Sequence, residues 1–226
     1  VEVYASQRYA PGFFAWIIPK RDGSAKVGLA VKRGNPSEYL RRFMRAHPVA
    51  SKKLRGSKIN NLSLHPIPLG GAIPKTYSDG LMVVGDAASQ VKPTTGGGLI
   101  FGLLCSKTAG EVAHEAVKNG DYSANFLSKY QSRWKKLVDF DLKAMYQIRR
   151  MLNCISDDDM DRIFDLCSKL SVDEALESAG DVDFEGGSLI RMLLHPAVPV
   201  VGFLLFLSTF ASVSYTHLRA HETVLD

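Results

Sequence analysis

Cysteine is scarce in this chain, and none of the three, Cys105, Cys154 and Cys167, falls in a Cys-x-x-Cys spacing. That excludes a disulfide framework and a cysteine zinc site, and it fits a reducing compartment. A secretory signal would begin with Met, a basic region and a short apolar run. Here the chain opens Val1-Glu2-Val3-Tyr4, which already reads as a strand, as the middle of a longer protein would. Also lacking is a basic stripe interleaved with aromatics, so nucleic acid is not an expected partner. The net charge of +5 is a mild excess, scattered except at Lys52-Lys53-Leu54-Arg55 and Lys135-Lys136. Such clusters are drawn to anionic lipid, which makes a cytoplasmic protein at the inner face of the membrane compatible with the composition. With 46% apolar and 23% charged residues in a 226-residue chain, what is present is globular and large enough for one or two domains.

Punctuation along the chain divides it. Residues 13–31 read as a β-hairpin, with Phe-Phe-Ala-Trp-Ile-Ile on one arm and Asp22-Gly23 as the turn. Pro36-Ser37 opens a helix from Glu38 to His47, stopped by Pro48. Residues 60–69 carry two prolines and suit an edge strand or extended segment. Leu81-Met82-Val83-Val84 is a continuous apolar run between Gly80 and Gly85, the form of a strand buried on both faces of a parallel sheet. A small-residue apolar helix over 97–118, an amphipathic helix over 125–152 and an acid-capped helix from Ser156 to about Leu170 follow. Residues 192–211 are almost all apolar, yet Pro196, Pro199 and Gly202 interrupt them, which favours packing or an interfacial position over spanning. Residues 213–226 change composition abruptly and resemble translated adapter sequence, so they are set aside as a non-native tail. His217 and His221 there make a poor metal pair.

The chemistry concentrates between residues 81 and 110. Asp86 stands at the carboxyl end of an expected strand, where α/β sheets bind ligands, and its carboxylate can accept hydrogen bonds from sugar hydroxyls. Gly85 lets another group approach the backbone, and Ala87 and Ala88 keep the next turn narrow. Pro93-Thr94-Thr95 leads to Gly96-Gly97-Gly98 at the start of a helix, whose unpaired N–H groups would meet a flat ring and stabilise negative charge on it. A Gly-Asp turn or a glycine loop alone is commonly structural. It is their order, strand, Gly-Asp, proline, glycines, helix, that points to a site.

That order resembles the second FAD motif of the flavoproteins that include aromatic hydroxylases and geranylgeranyl reductases. The resemblance implies that Asp86, with Gly85 and Ala87, holds the ribityl chain of FAD. It also implies that Thr95, Gly96, Gly97 and Gly98 follow the pyrimidine edge, with Val91 and Pro93 shaping the pocket. Residues 11–19 (Pro-Gly-Phe-Phe-Ala-Trp-Ile-Ile-Pro) resemble the substrate motif of the geranylgeranyl reductases through Pro11, Gly12, Trp16 and Pro19. Phe13, Phe14 and Ile18 depart from it. Phe14, Trp16 and Ile18 would then face an isoprenoid chain; alternatively they are simply the core face of the hairpin.

The resemblance implies an α/β (α+β) fold with a substrate-side antiparallel sheet over 1–75 and the C-terminal half of a Rossmann-like FAD domain over 76–120. A helical region follows over 121–212. The usual GxGxxG fingerprint would lie ahead of Val1. The implied reaction is hydride delivery from reduced FAD to an isoprenoid double bond of archaeal-type lipid precursors, with NAD(P)H or ferredoxin as electron donor. His65 and His195 are proton-donor candidates by residue type alone. The alternatives are an FAD monooxygenase or halogenase of the same superfamily, and a non-catalytic domain anchored through 192–211.

Overall fold

A period of two runs through the first aromatic strand: Phe13, Ala15 and Ile17 are buried, while Phe14, Trp16 and Ile18 alternate with them on the other face. The computed structural model describes residues 1–169, which divide into two compact units, 1–65 with 152–169 and 66–151. Residues 66–75, read from sequence with the sheet, pack in the second unit. The expected features of 192–211, His195, His217, His221 and the 213–226 tail lie outside the described residues.

In the first unit, β1 (Glu2–Ala5), β2 (Phe14–Pro19) and β3 (Ala25–Leu29) form an antiparallel sheet in that order. Trp16 stands opposite Val3 on one side and Gly28 on the other. The Asp22 carboxylate closes the hairpin by accepting from the Ser24 amide at 2.9 Å, as expected of an Asp-Gly turn. Helix α1 (Pro36–Ala46) begins with Asn35, whose side chain accepts from the Ser37 amide at 3.0 Å, and Pro36 takes the first-turn position suited to it. A short α2 (Ala50–Lys53) follows. Phe43 and Ala50 from these helices pack on Ala15 and Ile17, with Tyr4, Val27, Leu29, Met44 and Leu54 around them. Helices α1 and α2 thus cover the Ala15 and Ile17 face of the sheet. His47 ends α1 among the rings of Tyr4, Tyr9 and Phe43, at centroid distances of 4.8, 4.9 and 5.2 Å.

The second unit is built on two long helices, α3 (Leu99–Asn119) and α4 (Ala124–Leu152). Phe101, Cys105, Val112 and Ala116 of α3 interdigitate with Leu127, Tyr130, Trp134, Val138, Leu142 and Met145 of α4. Helical spacing of the large residues of α4 put them on one stripe, as the sequence indicated. α3 differs from the fully buried helix expected: Leu99, Leu103 and Val117 are exposed. Its small residues left no periodic pattern from which to tell one covered side from two. Leu81–Met82 (β5) is likewise not a doubly buried parallel strand. It pairs antiparallel with Tyr77–Ser78 (β4), and Leu81 is 53% exposed. Both sheets of the described residues are antiparallel, and residues 60–69 form no strand. Helix α5 (Asp157–Lys169) belongs to the first unit, with Ser156 Oγ accepting from the Asp159 amide at 3.1 Å. Among the described residues no helix is long and apolar enough to cross a membrane.

Candidate functional site

Gly85 to Ala88 forms a single 3-10 turn directly after the extended residue Val84. Gly85 has φ +67, a conformation that favours glycine. No atom lies within 4 Å of where its Cβ would be, so the backbone angle accounts for the glycine, rather than a close neighbour. The close approach occurs at Gly98. A Cβ there would stand 2.9 Å from Asp86 Oδ1 and 3.3 Å from Val91 Cγ2. The two halves of the motif are thus brought together: the carboxylate of Asp86 lies against the bare backbone at the start of α3. Gly98 caps α3 without any side-chain hydrogen bond, and a Cβ on Gly102 would stand 3.8 Å from Gly85 Cα.

Between them the chain folds into a tight loop. Gly96, at φ +75, donates from its amide to the Lys92 carbonyl at 2.9 Å, and the Lys92 amide returns a bond to the Gly97 carbonyl at 3.0 Å. Thr95 Oγ1 accepts from the Gly97 amide at 3.3 Å. Pro93 is fully buried, whereas Asp86, Ala87, Thr95 and Gly97 are exposed. A tight, internally bonded loop thus presents polar backbone and one exposed carboxylate, with glycines where larger side chains would otherwise stand. That can accept a flat polar group and hydrogen-bond a polyol.

Residues the sequence reading passed over hold this loop in place. Gln90 is fully buried and accepts from the Gly85 amide through Oε1 at 2.8 Å. Its Nε2 donates to the Tyr130 hydroxyl at 3.0 Å, and that hydroxyl donates to the Val83 carbonyl at 2.9 Å. Burial pushes the Tyr130 phenol up to about 12, so it stays a donor at physiological pH. Arg149, 7% exposed on α4, donates through Nε to the Pro93 carbonyl at 2.9 Å and through Nη2 to the Thr94 carbonyl at 2.7 Å. Loss of solvent lowers the pKa of its guanidinium, which nevertheless stays protonated as arginine does. Helix α4 also fixes the upstream segment: Gln131 Oε1 accepts from the Thr76 amide at 2.8 Å, and the Trp134 indole donates to Thr76 Oγ1 at 3.0 Å. For Tyr130, Gln131, Trp134 and Arg149 the only sequence signal was a polar group on the apolar stripe of α4, and for Gln90, in the loop, there was none.

On β2 of the first unit, Phe14, Trp16 and Ile18 do not form the core face; Ala15 and Ile17 do. Phe13 stacks on Phe14 at 4.3 Å, and Phe14 meets Trp16 edge-on at 5.9 Å. Trp16 lies across Gly28, where a Cβ would come within 2.4 Å of the indole. The result is a semi-exposed aromatic and aliphatic face of the sheet, opposite α1 and α2. His65 is exposed in coil.

Comparison with known proteins assigns the class. The family model for the geranylgeranyl reductase catalytic domain matches residues 1–61, almost the whole first segment of the sheet unit. Relatives align over most of the rest, and the chain belongs to the geranylgeranyl reductase family. It is 39% identical to digeranylgeranylglycerophospholipid reductase 2 of Methanothermobacter thermautotrophicus over 72% of this chain and 42% of that protein. It is also 39% identical to the digeranylgeranylglycerophospholipid reductase of Methanocaldococcus jannaschii, over the same shares. A solved geranylgeranyl bacteriochlorophyll reductase-like protein from Thermoplasma acidophilum superposes with a TM-score of 0.70 at 25% identity. That match covers 89% of this chain and 50% of the solved one. The chain therefore spans about half the length of the relatives it matches, and the mixed helix-and-sheet fold is common to them.

Proposed function

We propose that this chain is part of an FAD-dependent reductase that saturates isoprenoid C=C bonds of membrane lipid precursors. One contact carries the reading: Asp86 against Gly98, a carboxylate and an uncapped helix start joined with no side chain between them. Those residues fit FAD. Asp86 would accept hydrogen bonds from the ribityl hydroxyls, and Thr95 with Gly96, Gly97 and Gly98 would hold the pyrimidine part of the ring. Backbone N–H groups and the dipole of α3 there favour negative charge on the ring. When bound, reduced FAD supplies the hydride.

Phe14, Trp16 and Ile18 bind the isoprenoid chain, whose apolar surface their semi-exposed face would remove from water. The printed names of the relatives support that substrate class. Gln90, Tyr130 and Arg149 position the loop and do not touch the substrate. Titration with FAD of the complete protein that contains this chain, read by flavin fluorescence, tests the reading: saturable binding is expected, abolished by Asp86→Ala. A complete protein that takes up no FAD sinks it. With bound flavin reduced anaerobically, reoxidation by a geranylgeranyl lipid distinguishes a reductase from a monooxygenase, which would need oxygen.

A further inference from the structure

The charge of this chain is unevenly placed. Residues 1–65 hold thirteen Lys and Arg against three acids, Glu2, Asp22 and Glu38, a net +10, although the whole chain carries only +5. Glu2 is already paired with Lys53. The acids that the first unit gains from residues 152–169 sit on or beside another element, α5, where Asp157 accepts from Ser6 Oγ at 2.9 Å and the Gln7 amide at 2.5 Å.

The layered packing of this unit decides where the excess points. Phe43 and Ala50 turn inward from α1 and α2 onto the sheet. Arg41, Arg42 and Arg45 on α1, Lys52 on α2, and Arg55 and Lys58 just beyond are all exposed on the helical layer. Directly adjoining them in the chain are apolar side chains left in solvent: Val49 is 46% exposed, Ile59 56%, Leu62 43% and Leu64 54%. The last three stand in coil.

We propose that the α1–α2 layer with residues 55–64 is a docking surface for an anionic lipid bilayer. The cations lie against phosphate headgroups, and Val49, Ile59, Leu62 and Leu64 enter the interface. Cations bordered by exposed aliphatic groups match a surface that is charged outside and hydrocarbon beneath. Single-stranded nucleic acid would call for stacking rings instead, and the one aromatic side chain of α1 besides Phe43, Tyr39, is covered by Arg42 at 5.4 Å. Its helices α1 and α2 lie on the opposite side of the sheet from Phe14, Trp16 and Ile18. The proposal does not rest on the flavin reading, and its test needs neither cofactor nor turnover.

Co-sedimentation of the full chain with vesicles tests it, comparing pure phosphatidylcholine with phosphatidylcholine containing phosphatidylglycerol. Binding is expected to need phosphatidylglycerol and to fall at least about tenfold when salt is raised to roughly 0.5 M, where screening is short-ranged. The triple variant Arg41→Gln/Arg42→Gln/Arg45→Gln should bind at least about tenfold more weakly, since each basic residue near the surface contributes about fivefold. Lys20→Gln/Arg21→Gln/Lys26→Gln removes the same charge from the β2–β3 hairpin and should lose no more than about threefold by the same scale. If the α1 variant melts early, Lys52→Gln/Arg55→Gln/Lys58→Gln, beyond that helix, gives the same readout. Ile59→Ser/Leu62→Ser should also weaken binding while leaving its salt dependence in place.

Equal losses in the hairpin control would reduce the effect to net charge and overturn the surface. Failure to bind either vesicle overturns it as well. So would salt-insensitive binding to phosphatidylcholine that survives all the substitutions, as an apolar stretch such as 192–211 would give. Tighter binding to a single-stranded oligonucleotide than to vesicles at the same salt would assign the surface to another partner.

Discussion

Gly98 takes φ −111, which alanine also adopts, so replacing it tests space and not backbone freedom. The added methyl of Gly98→Ala, 2.9 Å from Asp86 Oδ1, would turn the short Asp86 side chain away while the fold stays intact. We expect a melting temperature close to that of the parent and flavin affinity reduced about as far as in Asp86→Ala. The double variant should be little worse than either alone, because both changes remove one contact. Additive losses in this cycle would mean that Gly98 and Asp86 act separately. Arg149 gives a contrasting case. Arg149→Met leaves the Pro93 and Thr94 carbonyls without their donors, a loss of about 2–5 kcal/mol for a buried charged partner. Denaturant unfolding measures it, and Arg149→Lys should restore little of it because one ammonium does not reproduce the fork that reaches both carbonyls.

At the level of elements, the join between α1 and α2 carries a pH dependence. His47 Nδ1 accepts from the Val49 and Ala50 amides at 3.3 and 3.2 Å, which requires an unprotonated nitrogen, and burial among rings lowers its pKa. The unfolded chain then binds the proton more readily than the folded one. Stability is full above the ordinary histidine value of about 6.5 and declines as pH falls through it. Denaturant midpoints at pH 7.5 and 5.5 should show a fall that is smaller in His47→Asn, whose side chain can still accept at this join.

Most of these elements were legible beforehand. The Asp22-Gly23 turn, the two long helices and Ser156 as a cap follow from local chemistry. What was not legible were pairings that need a second element: whether Leu81 is covered on one face or two, and whether Leu99 and Leu103 are buried. The alternation on β2 showed that two faces exist, but only the placement of Phe43 and Ala50 told which one is core. Gly-Asp and the glycine run were recognisable as a candidate site by their order. Gln90, Tyr130 and Arg149 were not, because neither a polar residue in a loop nor one on an apolar helix stripe announces its partner.

Across the molecule, residues 74–94 contain little regular structure of their own, two strands of two residues and one 3-10 turn. They are held instead by side chains spaced along α4, with Gln131 and Trp134 at Thr76, Tyr130 at Val83 and Gln90, and Arg149 at Pro93 and Thr94. A loop splinted at so many points by a single rod has no opening reaction of its own. In native-state hydrogen exchange the protected amides of Gly85, Gln90 and Gly96 should be released together with those of α4, at one common free energy. Faster release of the loop amides would show that it opens alone. If the splint holds, denaturant that unwinds α4 removes the Asp86–Gly98 surface in the same step, and no partly folded species keeps the loop without the helix.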